Sequence, residues 1–260
     1  MKILSLLTAG VLLQSLTTAH AANVFYRSLV LGDGALSYFQ FEEAAGTIAV
    51  NTVTTGPNGT YNGSIALAAA GRSGLGLAPT FTNGNVIVPS AANTDFGVGA
   101  PFSIEFWFNE PTGGRGDLLT HKGGGADFGI HSQSEGDGTV SFYNGGFVGT
   151  ATPASLAVWH HLVLTRSAAN NYTLYLDNVA KALGAGPAYA AGIPLLIGSN
   201  TSNGADIAIP FTGQMDEFAL YGSALTQAQV SAHFLAAPEP SRILFFAVAG
   251  LLCGGRRRRD

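Results

Sequence analysis

The sequence predicts an all-β fold: a two-sheet antiparallel sandwich with one short helix near the end of the domain. Three observations predict it. Short runs rich in β-branched and aromatic residues recur along the chain. Its 35 glycines fall between these runs as turn signals. At least one run alternates apolar and polar residues with the period of a strand. Regularly spaced short strands bounded by turns are the pattern of a sandwich.

The clearest strand is Phe102-Ser-Ile-Glu-Phe-Trp-Phe108. It sets Phe102, Ile104, Phe106 and Phe108 on one face and Ser103, Glu105 and Trp107 on the other, which predicts one buried face. Residues 36–41, 85–88, 118–122, 128–132, 139–143, 161–166, 172–176, 195–198 and 213–221 also read as strands. Gly123–Ala126 and Ala168–Asn171 read as hairpin connections, the first placing His121 opposite residue 128. Residues 51–73 are the least regular and are expected to be loop or weak strand. Near the end, Thr226 with Gln229 three residues on forms a capping box. Val230 and Phe234 then fall at i, i+4 spacing on the helix it starts.

The two ends read as addresses. Lys2, the apolar run Ile3–Leu16 and the small-x-small site Ala19-His20-Ala21 have the layout of a secretory signal peptide, with cleavage after Ala21. Residues 1–21 are therefore set apart from the domain, 22–237. The last segment, 238–260, holds Pro238-Glu239-Pro240, an apolar run from Ile243 to Cys253, and Arg256–Arg259. Eleven apolar residues as a helix span roughly 17 Å against about 30 Å of hydrocarbon, a marginal anchor. The four arginines hold its end on the cytoplasmic side. Pro238 and Pro240 separate it from the preceding helix. In all three parts this tail resembles the PEP-CTERM sorting signal of Gram-negative bacteria. The resemblance implies export, transient membrane retention through the tail, and processing by signal peptidase and an exosortase-type enzyme.

Removing both addresses leaves six Lys and Arg against fourteen Asp and Glu, a net charge near −8 for residues 22–237. So acidic a domain has no basic stripe, which argues against nucleic acid as a partner. The single cysteine, Cys253, lies in the tail, so the exported domain relies on its core and not on disulfides.

Seven segments, in order, carry a second resemblance: Val30–Glu43 with Asn58–Asn62, Phe102–Trp107, Trp159–Thr165 with Tyr172–Asp177, Phe211–Tyr221, and Ala224–His233. Together they resemble LamG-like jelly-roll domains across roughly residues 26–235. The resemblance implies a concanavalin A-like lectin/glucanase sandwich. Glucanases of that superfamily need paired carboxylates, and Glu105 stands on such a strand. Its same-face neighbours Ser103, Trp107 and Asn109 supply no second acid, so Glu105 is expected to be a structural acid and the domain not to be an enzyme. Folds of this kind can hold a structural calcium where the first and last strands meet. That implies Asp216, with Glu42 or Glu43, as its oxygen ligands.

By analogy with the fold, the expected partner is a polysaccharide or another cell-surface component. A sugar site needs an aromatic platform beside polar groups, and Trp107, Tyr143 and Asn144 are the candidates. His121, His131, His160, His161 and His233 are too scattered to read as a zinc site or a triad. Arg115-Gly-Asp117, four Asn-x-Ser/Thr tripeptides and the glycines carry no further function, since no Lys-Ser/Thr completes a phosphate cradle. The expectation is an exported, non-catalytic binding module of the cell surface or extracellular matrix. A structural surface protein, or a carbohydrate-active hydrolase or lyase, is the alternative.

Overall fold

The computed structural model describes residues 23–96, 99–123, 126–132, 138–145, 147–186, 192–201 and 207–237. The predicted cleavage site at Ala21 and the motif Pro238-Glu239-Pro240, with the rest of the tail, lie outside the described residues.

The described residues open on a helix the sequence reading did not anticipate, α1, over residues 23–32. Tyr26 and Val30, four apart, form its buried stripe. Gly34, at φ 82°, ends it in the left-handed conformation that glycine adopts without strain. The resemblance to a family strand begins at Val30, but the strand itself starts only after this glycine. Fourteen strands follow among the described residues. They are β1 (Ala35–Phe39), β2 (Ile48–Ala49), β3 (Gly59–Ala70), β4 (Leu77–Val88), β5 (Phe102–Asn109), β6 (Gly116–Gly123) and β7 (Ala126–Ser132), then β8 (Thr139–Asn144), β9 (Phe147–Pro153), β10 (Trp159–Arg166), β11 (Asn171–Leu176), β12 (Val179–Ala185), β13 (Leu195–Ile197) and β14 (Gly213–Tyr221). The closing helix α2 (Gln227–Ala236) starts at the predicted capping box: Gln229 N donates to Thr226 Oγ1, and Thr226 N donates to Gln229 Oε1. No described helix is long and apolar enough to cross a membrane.

Hydrogen bonding runs in the order β12-β11-β10-β5-β14-β4-β13-β6-β7-β8-β9, with β1 on β14 and β2-β3 on β4. Each pair of named strands is antiparallel. The sheet curls because β4 serves both halves: Thr80 and Phe81 pair with β14, while Val86–Val88 pair with β13. The halves therefore face each other across one core. Phe102 from the first half meets Phe128 from the second at 6.1 Å between ring centres. The predicted hairpin registers hold, with His121 opposite Phe128 and Ser167 N donating to Asn171 O.

Two expectations need correction. Residues 59–70 are a full twelve-residue strand, β3, paired along β4. Small residues such as Ala and Gly gave it no apolar contrast to read. And β5 buries both faces. Its second face, with Glu105 and Trp107, is covered by α1 and α2. Tyr26, Val30, Trp107, Val163, Tyr221 and Val230 form a second apolar cluster there. A strand with polar residues on alternate positions reads as half-exposed; here those positions are polar because they carry a buried network.

Candidate functional site

The network centres on Glu105, in the middle of β5 and wholly buried. Four side chains from four elements donate to its carboxylate: Tyr26 of α1 (3.1 Å), His161 of β10 (2.7 Å), Tyr221 of β14 (2.6 Å) and His233 of α2 (2.9 Å to either oxygen). Burial alone pushes the Glu105 carboxyl up, but His233 and His161 outweigh it and hold the group well below the usual carboxylate range. His233 reaches onward through Nε2 to Asp33 at 3.0 Å. Burial pushes its imidazole down, yet Glu105 and then Asp33 raise it overall. Both Glu105 oxygens are thus engaged by side chains of the sheet and of the two helices.

Trp107, proposed as a sugar platform, is not one. Its ring is 1% exposed, stacked on Phe234 at 5.9 Å, under the Arg72 guanidinium at 4.8 Å, with Nε1 donating to Tyr26. Asn144 is also corrected: it turns inward and donates to the Tyr172 hydroxyl at 3.3 Å. Tyr143 alone of the three keeps a partly exposed side chain. The alternation along β8 separates Tyr143 from Asn144, because neighbouring residues on a strand point to opposite faces.

Beside the network lies an acid cluster that the sequence predicted in part. A bulge in β14 between Asp216 and Ala219 inserts one residue against β5, which turns both Asp216 and Glu217 to the outer face. Glu217 sits at φ 55° and Phe41, just before Glu42, at φ 61°. Such strain in non-glycine residues concentrates at functional positions. Asp216 Oδ2 accepts from Arg72 N at 2.9 Å, and Glu42 accepts from Leu77 N at 3.2 Å. Both acids therefore hold one turn, which Gly71 N closes on Gly76 O. Side chains at Gly71 or Gly76 would overlap Asp216 or Glu42 respectively. Burial, and then the charge of Glu42, push the Asp216 carboxyl well up, despite the Arg72 amide; burial and Asp216 do the same to Glu217, whose partner is the Tyr38 hydroxyl. Asp216 Oδ1 and Glu217 Oε1 are buried without a hydrogen bond. The Arg72 guanidinium offsets the charge of the cluster only in part. Among the described residues no three His, Cys, Asp or Glu side chains are arranged to hold a metal. A cation here would rest on Asp216 and Glu42 together with backbone carbonyls of the turn, a donor set suited to a hard ion.

Two aligned Ser, His and Asp groups escaped the sequence reading. In the first, His160 Nδ1 lies 2.6 Å from Asp177 Oδ2 and Nε2 lies 3.3 Å from Ser155 Oγ. Nε2 is closer still to the Ser155 carbonyl, at 2.9 Å. Both ring nitrogens thus donate. Burial lowers this imidazole, but Asp177 raises it overall. It ties down the 155–160 turn. In the second, Asp117, His131 and Ser141 stand side by side across β6, β7 and β8. Asp117 Oδ1 accepts from His131 Nδ1, while Ser141 Oγ is buried without a partner.

A family model described as the concanavalin A-like lectin/glucanases superfamily matches residues 81–231, more than half of the chain. Curated proteins show no significant sequence similarity to it. Among solved structures, domain 4 of AbnA, a GH43 extracellular arabinanase from Geobacillus stearothermophilus, in complex with arabinotriose, superposes with a TM-score of 0.61 at 18% identity, covering 78% of this chain and 98% of that one. The binding domain of Paraclostridial Mosquitocidal Protein 1 gives 0.60 at 16% identity, with 78% of this chain matching 52% of that one. Trypanosoma rangeli sialidase with 2,3-difluorosialic acid gives 0.54 at 19% identity; 78% of this chain covers only 33% of the sialidase. At these identities the likeness is one of fold.

Proposed function

We propose that this chain, which belongs to the concanavalin A-like lectin/glucanases superfamily, is an exported, non-catalytic module that binds polysaccharide at the cell envelope or in the extracellular matrix. One observation carries the non-catalytic reading: the acids of the central strands, Glu105, Asp216 and Glu217, are all fully buried. A glycosidase presents two carboxylates to a sugar, one of them to donate a proton. Here Glu105 is saturated by four donors, and the other two lie beneath a turn. The arabinotriose bound to a domain matched over 98% of its length supports a saccharide as the ligand class. Export rests on the sequence at the two ends: cleavage after Ala21 by signal peptidase, and recognition of Pro238-Glu239-Pro240 by an exosortase-type enzyme, with the tail in the membrane only transiently.

In this reading a structural calcium ion sits at the turn of residues 71–76 on Asp216 and Glu42. It adds to the positive charge that Arg72 brings to the cluster and fixes the first and last strands of the domain. It has no part in chemistry on the ligand.

A glycan array probed with the purified chain tests the function. Retention of at least one polysaccharide class is the expected result. An array without a hit, arabinan included, rejects the binding reading in favour of a structural surface protein. Release of reducing sugar from any array polysaccharide rejects the non-catalytic one.

A further inference from the structure

The geometry points to the outer face of β6, β7 and β8 as the saccharide subsite, with Tyr143 as the stacking platform and His131 as the hydrogen-bonding group; this rests on the binding function proposed above. Phe128 and Ile130 of β7, and Val140 and Phe142 of β8, turn into the core. By alternation Gly129, His131, Ser141 and Tyr143 turn away from it. The register sets Gly129 beside Tyr143 and His131 beside Ser141.

Gly129 is what permits the arrangement. A Cβ there would lie 3.1 Å and 3.2 Å from Cε1 and Nε2 of His131. Without it, the imidazole lies back along its own strand toward Tyr143, with ring centres 6.4 Å apart. Asp117 takes the Nδ1 proton in a bond between two buried side chains. That fixes the ring plane and leaves Nε2 on the Gly129 side, where it makes no hydrogen bond to the described residues. Ser141 Oγ and Asp117 Oδ2 add two further polar atoms without a partner on the same face. Arg115, whose side chain is 49% exposed, stands 3.8 Å from Asp117 Oδ1 and lines the rim.

This set matches the chemistry of a sugar. A pyranose or furanose ring offers an apolar C–H face for the Tyr143 ring and equatorial hydroxyls for His131 Nε2. A flat aromatic with one orienting nitrogen suits a neutral polyhydroxylated chain. Asp117 is a positioning residue: it acts through the imidazole.

The experiment is isothermal titration calorimetry of the purified full chain with arabinotriose and with the oligosaccharide that the array retains best. Tyr143→Ala and His131→Ala are each expected to weaken binding by about tenfold or more, on the order of 1.4 kcal/mol. Tyr143→Phe is expected to bind within about twofold of wild type, since it keeps the ring. Gly129→Val, which drives the imidazole off its resting place, is expected to abolish binding. Thermal melts of each variant separate lost fold from lost site. If the wild type binds and folded Tyr143→Ala and His131→Ala bind equally well, the subsite is wrong and the binding function stands. If the wild type binds no saccharide, both fall. If Tyr143→Phe loses binding as completely as Tyr143→Ala, the stacking role is refuted.

Discussion

His233 ties both helices to the sheet, and replacing it tests whether the buried ion network holds the cap. Its Nδ1 donates to Glu105 of β5 and its Nε2 to Asp33 at the end of α1, while it stands on α2 itself. Tyr26, Tyr221 and His161 face the same carboxylate from α1, β14 and β10. With two acceptors on opposite sides, the ring satisfies both only when both nitrogens carry protons. His233→Gln leaves at most one of these bonds and removes the charge. Removing one partner of a buried pair costs about 3–5 kcal/mol. In a domain of this size each kcal/mol lowers the melting midpoint by about 2–4 °C, so the variant is expected to melt roughly 6–20 °C lower. The pH dependence has a definite sign. The folded imidazole is raised, so its contribution is complete below about pH 6.5 and lost as pH climbs through the folded value. The folded Glu105 carboxyl is lowered, so its contribution is present above about pH 4.5 and lost as pH falls toward the folded value. The stability difference between wild type and His233→Gln is therefore largest between about pH 4.5 and 6.5 and shrinks on the alkaline side. Thermal unfolding followed at several pH values measures it, with Trp107 fluorescence reporting on the cap. A variant that melts within 2 °C of wild type at pH 6, or a difference that grows toward pH 9, refutes the charged-latch account.

Two further predictions follow from the packing and from the acid cluster. Trp107→Ala removes a ring stacked on Phe234 and capped by Arg72; it is expected to cost about 3–5 kcal/mol in a chemical denaturation curve, while any folded fraction retains full saccharide affinity, and selective loss of affinity would restore Trp107 as a contact. Calcium at a hundredfold excess over its dissociation constant is expected to add about 2.7 kcal/mol to the EDTA-treated chain, read as a rise in melting midpoint that Asp216→Asn abolishes; an unchanged midpoint after EDTA and calcium eliminates the ion.

The alternation of Phe102 to Phe108, the hairpin turns at 123–126 and 168–171 and the capping box at Thr226 were all legible in the sequence, because each is a local rule written in adjacent residues. What escaped was decided at long range. Nothing near Trp107 announces that α1, eighty residues earlier, covers it; Tyr26 and Val30 look like strand formers until Gly34 ends their helix. β3 was hidden because Ala and Gly pack on a twisted neighbour without the apolar contrast that marks a strand. The site shows the same division. Asp216 and Glu42 were legible as neighbours because the family order puts Asp216 on the last strand and Glu42 just past the first, yet the bulge that turns Glu217 to the same face is a backbone event with no residue signature. The hairpin register separated His131 from His121, as the pairing of His121 with Phe128 bears out, but it named no partner for His131. Its true partner, Asp117, sits across the β6–β7 register, behind a further bulge between Asp117 and Leu119 that shifts the count by one. A one-residue shift carries a side chain to the other face of a sheet. So the residues that matter most here, those on the second face of β5 and the outer face of β7, are the ones whose neighbours are fixed by bulges and crossovers. Polar positions in an otherwise apolar strand were the available clue, and in this chain they mark partners from another element more often than exposure to water.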